Sequence, residues 1–80
     1  MPTVFRSGPY RFFFFSNEGF EPVHVHVEGS GGYAKLWMDP VRFAEAHGLN
    51  SRQLSHIRQV VREHRNEIVE AWHAHFAHQD

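Results

Sequence analysis

Polar and apolar positions alternate with a period of two through the first half of the chain and with a period near 3.6 through the second. The clearest stretch is Glu21-Pro22-Val23-His24-Val25-His26-Val27-Glu28. Valines at 23, 25 and 27 fall on one side of an extended chain, and His24, His26 and Glu28 fall on the other, as in a half-buried strand. Thr3 to Arg6, Tyr10 to Ser16 and Tyr33 to Met38 also read as strands by their β-branched and aromatic content. Ser7-Gly8-Pro9, Asn17-Glu18-Gly19 and Gly29-Ser30-Gly31-Gly32 supply the turns between them. Connections this short cannot cross over a sheet, so the strands form an antiparallel meander of three to four strands.

Helical periodicity follows. Asp39-Pro40 matches an N-cap and first helical position, predicting a short helix to about His47 that Gly48 stops. A long C-terminal helix starts at Asn50, with Gln53 in capping-box spacing and Leu49 able to staple onto Leu54. Leu54, Ile57, Val61, Ile68, Trp72 and Phe76 make its apolar stripe, and Glu63, Glu67 and Glu70 lie opposite. Packing that stripe on the valine face gives an α+β fold, with the sheet covered on one face. The run Phe12-Phe13-Phe14-Phe15 is apolar on both sides, more than a one-sided sheet requires. If the small aliphatic set of the last strand faces the helix, the uncovered face collects His24, His26, Lys35, Trp37 and a pair of phenylalanines, a contact surface that carries both cations and rings.

Composition narrows the class. Eighty residues, 41% hydrophobic and 15% aromatic, make a single domain spanning 1–80. Without cysteine, neither a disulfide nor a thiolate metal site holds the fold. No secretory or membrane-spanning stretch is present, so a cytoplasmic location and no membrane contact are expected. A formal net charge of −1 gives no general attraction to nucleic acid, so any RNA binding needs a local patch.

The chemistry concentrates at His24 and His26. Two imidazoles on one strand face can serve as acid and base in RNA cleavage, with Arg11 or Lys35 steadying charge on the phosphate. They can also chelate zinc or another divalent metal, with Glu28 or a loop histidine as third ligand, although no further metal motif supports this and no cofactor is the default expectation. The bland alternative is two solvated histidines. Lys35 and Trp37 are candidate contacts for a substrate or partner, as are Arg58 and Arg62 on the helix flank, whose ordinary role is to lay their stems over the core edge. His64 reads as a packed core histidine, and His73, His75 and His78 as the end of the last helix. A histidine-triad hydrolase is excluded because its third histidine is missing.

Several motifs carry a resemblance: Met1-Pro2-Thr3-Val4-Phe5-Arg6, Gly8-x-Tyr10-Arg11-Phe12-Phe13-Phe14, Ser16-Asn17-Glu18, Pro22-x-His24-Val25-His26-Val27 and Ala34-Lys35-x-Trp37. Together with Ile57, Val60, Glu63 and Trp72 in the helix, they resemble the small prokaryotic family catalogued as domain of unknown function forty-one sixty. Members are often encoded beside a small protein of another uncharacterised family, which implies the toxin side of a toxin–antitoxin pair. The resemblance thus implies a bacterial protein with a small cognate protein partner and supplies no established reaction. Three readings follow for the histidine face: a metal-independent ribonuclease, a non-catalytic protein-binding module, or a divalent-metal-binding domain. RNA and a second copy of the chain complete the range of partners.

Overall fold

A computed structural model describes residues 3–77. Five strands form one antiparallel sheet in sequential order: β1 (Thr3–Ser7), β2 (Tyr10–Phe13), β3 (His24–Gly29), β4 (Gly32–Met38) and β5 (Val41–His47). Two helices follow, α1 (Ser51–Glu63) and α2 (Arg65–Phe76). The fold is α+β, with one strand more than the three to four expected.

That fifth strand replaces the expected short helix. Asp39-Pro40 forms a turn, and the chain returns along β4 with Met38 opposite Val41 and Trp37 opposite Arg42. Asp and Pro serve a turn as readily as a helix start. Pairing satisfies the edge of β4, which a short helix would leave bare. Val41 and Phe43 then pack against the core, a period of two that seven residues made hard to see.

Register sorts the two faces as the alternation predicts. Phe12 lies opposite Val27 and Val27 opposite Ala34, while Val25 lies opposite Leu36. All five are buried in one core with Ile57, Val60, Val61, Ile68, Trp72 and Phe76 from the helices. Full burial of such side chains stabilises by about 1.5–3 kcal/mol each. On the other face Phe13, His26 and Lys35 line up across the sheet, as do Arg11, Glu28 and Tyr33.

The capping box forms as expected: Asn50 Oδ1 accepts from the Gln53 backbone and Gln53 Oε1 accepts from the Asn50 backbone. The single long helix does not. It breaks at His64, whose ring stacks on Phe5 at 4.4 Å and whose Nδ1 hydrogen-bonds the Val60 carbonyl. A side chain competing for a backbone carbonyl and docking sideways explains the break. His64 is half-buried and packed, as expected. Among the described residues no helix is long and apolar enough to cross a membrane. His78, read with the helix end, lies outside the described residues.

Candidate metal centre at the start of the third strand

His24 and His26 share the outer face of β3, yet neither reaches solvent. His24 is 0% exposed and His26 3%. The reading of two solvated histidines is therefore corrected. The cover is the 14–23 segment between β2 and β3, which leaves the sheet after Phe13 and folds back over the face.

Phe14 and Gly19 hold this segment in place by packing. Phe14 is buried edge-on to Trp72, with ring centroids 5.3 Å apart. Gly19 lies so close to the helix that a Cβ there would fall 2.9 Å from Phe76 Cδ1. A turn over residues 18–21, closed by Glu21 N–H donating to the Glu18 carbonyl at 3.0 Å, aims the Glu18 side chain back at the sheet. Its Oε1 accepts from the Phe15 N–H at 2.9 Å.

Glu18 meets both histidines. His24 Nε2 is 2.8 Å from Oε2, and His26 Nε2 is 2.9 and 2.7 Å from Oε1 and Oε2. Each ring is oriented from its other nitrogen. His24 Nδ1 donates to the Pro22 carbonyl at 2.8 Å, and His26 Nδ1 contacts the Tyr33 hydroxyl at 2.7 Å. The rings cross nearly at right angles 4.9 Å apart, with Trp72 and Trp37 against His24 and Phe13 and Phe15 against His26.

Burial alone would raise the Glu18 pKa, but hydrogen bonds from His24, His26 and the Phe15 backbone outweigh it and hold the carboxyl below its usual range. Burial pushes the His26 pKa down, against the pull of Glu18. Burial together with the carboxylates of Glu45 and Glu18 raises the Tyr33 phenol to about 12, so it stays protonated.

Proton accounting singles out His24. With its Nδ1–H spent on Pro22, a neutral ring presents a bare Nε2 to a carboxylate oxygen 2.8 Å away, two acceptors in contact. That contact requires a proton shared between the two atoms or a cation between them. Ligand atoms of Glu18, His24 and His26 all lie within 4.8 Å of one another, a set able to hold a metal ion.

The other sequence candidates are distributed differently. Glu28 is not the third member of the triad. It lies directly opposite Arg11 on β2 and forms an ion pair with it. Arg11 also donates to Thr3 and lies over the Phe13 ring. Lys35 pairs with Glu21 at 3.2 Å and sits over Trp37. Trp37 borders His24, so these three outer-face residues frame the centre. Arg58 lies over Phe43, and it and Arg62 belong to α1 on the far side of the sheet from the histidines. Spacing along the chain does not reveal Glu18 or Tyr33 as partners of the histidines. Glu18 stood in the Ser16-Asn17-Glu18 motif but read only as turn chemistry, and Tyr33 shared the outer face with Lys35 and Trp37.

No curated protein and no solved structure matches the chain. A family model does match it over residues 10–73, a span that holds Glu18, His24, His26 and Tyr33 together with all strands but the first. The chain belongs to the family described as domain of unknown function (DUF4160).

Proposed function

We propose that this protein is a divalent-metal-binding domain of the zinc class, with Glu18, His24 and His26 as ligands. The observation that carries this is the convergence of two Nε2 atoms and a carboxylate, with each Nδ1 anchored elsewhere. Ligating histidines are usually oriented this way, by a carbonyl or hydroxyl on the second ring nitrogen. Tetrahedral zinc at about 2.0–2.1 Å from its ligands sets those atoms about 3.3 Å apart, so the histidine–carboxylate contacts of 2.8 and 2.7 Å would open by about half an ångström, in a set whose ligand atoms all lie within 4.8 Å of one another. Burial favours this reading over acid–base ribonuclease chemistry, since a phosphodiester cannot approach imidazoles sealed beneath the 14–23 segment.

Metal loading tests it. Purified protein exposed to zinc and then dialysed is expected to retain about one ion per chain, and a His24→Ala variant none. Retention near zero by the wild type overturns the assignment.

One observation favours a second, compatible role. The same segment presents Phe20 at 86% exposure and Phe15 at 39%. Two large exposed rings on one loop suit docking to a protein partner, as the toxin–antitoxin reading requires. Phe20→Ser is then expected to abolish co-purification with the small cognate protein that the family resemblance implies, without changing the melting temperature. Unchanged co-purification rejects this role.

A further inference from the structure

Beside the histidine centre, Pro22, Val23, Trp37, Asp39 and Arg42 line an open groove of about 560 Å³. From its geometry we propose that this groove binds a small zwitterion with an apolar side chain, of the class of apolar and aromatic α-amino acids. The volume falls within the usual range of small-molecule sites, about 300–1,000 Å³.

Three features set the chemistry. The wall is apolar and already fixed. Val23 is tied to β4 through its carbonyl, which accepts the Met38 N–H at 3.2 Å. Trp37 is held by the Lys35 ammonium 4.5 Å from its ring and by the edge of His24 at 5.4 Å. Such a wall loses little freedom when a ring or branched chain packs on it.

The second feature is a free cation. Arg11 is engaged by Glu28 and Lys35 by Glu21 on this same face. Arg42, directly opposite Trp37 on β5, has no hydrogen bond or ion pair among the described residues. Its planar fork is suited to a carboxylate. The third is Asp39, at the same groove and equally without a partner among the described residues, which can take an ammonium group. One cation, one anion and an apolar wall complement a zwitterion better than a phosphate or a nucleic-acid backbone, which Asp39 would repel.

The test is a titration of L-phenylalanine into the full chain, followed by the NMR shift of the Trp37 indole N–H. Two analogues run beside it: 3-phenylpropionate, which lacks the ammonium, and 2-phenylethylamine, which lacks the carboxylate. L-Phenylalanine is expected to give a saturable shift, and each analogue to bind at least about tenfold more weakly, the scale of one charge-assisted hydrogen bond. Arg42→Ala should weaken L-phenylalanine about as much and Asp39→Asn likewise, with melting temperatures unchanged because both side chains are exposed. No saturable shift, equal binding of all three compounds, or indifference to Arg42→Ala overturns the proposal.

Discussion

Replacing Glu18 separates a metal centre from a merely hydrogen-bonded core, because glutamine and alanine disturb different things. The Glu18 carboxylate accepts from the Phe15 N–H and faces Nε2 of both histidines. Glu18→Ala strands two buried histidine nitrogens, at about 1–3 kcal/mol each, and the part-buried Phe15 N–H, for a total of about 3–6 kcal/mol. For a domain this small that lowers the melting temperature by about 15–30 °C. Glu18→Gln keeps the shape. Its carbonyl oxygen accepts from Phe15 and His26, and its amide donates to the bare Nε2 of a neutral His24. Metal-free Glu18→Gln should therefore lie within about 1 kcal/mol of wild type. An amide is a poor ligand, so only the wild type should respond to zinc. Zinc at a hundred times its Kd stabilises the folded state by about 2.7 kcal/mol, or about 10–20 °C for this chain length. Thermal melts of the three proteins, each with zinc and with chelator, measure all of these terms. An equal zinc shift in wild type and Glu18→Gln would refute the ligand assignment. A metal-free Glu18→Gln as unstable as Glu18→Ala would refute the proton accounting at His24.

Tyr33→Phe removes the hydroxyl that orients His26, and zinc affinity measured by competition with a chromophoric chelator should fall about 10–100-fold while the fold survives. Stability should fall on acidification. The lowered His26 pKa means the unfolded chain takes up that proton first, so its contribution is present above about pH 6.5 and is lost as pH drops. The lowered Glu18 pKa adds a second loss below its unfolded value of about 4.5. Chemical denaturation of the metal-free protein across pH 3–8 would expose a flat or rising profile on acidification, contrary to this. Gly29→Ala should unfold the chain or cost at least about 2 kcal/mol, since φ is +151° and the new Cβ would meet the Pro9 carbonyl oxygen at 2.2 Å. A thermal melt of that variant within a few degrees of wild type would contradict the close approach of Gly29 to Pro9.

How much of this was legible along the chain depends on the range of the interactions. Alternation in Val23 to Glu28 correctly separated a core face from a histidine face, because side-chain direction in a strand is local geometry. The Asn50–Gln53 capping box was readable for the same reason. β5 was not, since Asp39-Pro40 serves two local structures and only the unpaired edge of β4 selects between them. The break at His64 was equally hidden. Residues 61 and 68 are two helical turns apart, so the apolar stripe runs on smoothly while Phe5, far away in the chain, draws the His64 ring aside.

By itself, then, the sequence determined the α+β class, the two faces of the sheet and the pairing of His24 with His26. Tertiary structure decided what that pair meets. Glu28, two residues from His26, goes to Arg11 because antiparallel register sets them opposite each other. Glu18 reaches both imidazoles because packing of Phe14 and Gly19 against Trp72 and Phe76 folds the 14–23 segment over the sheet. Proximity in the chain proposed one carboxylate, and closure of a loop onto a distant helix supplied the other.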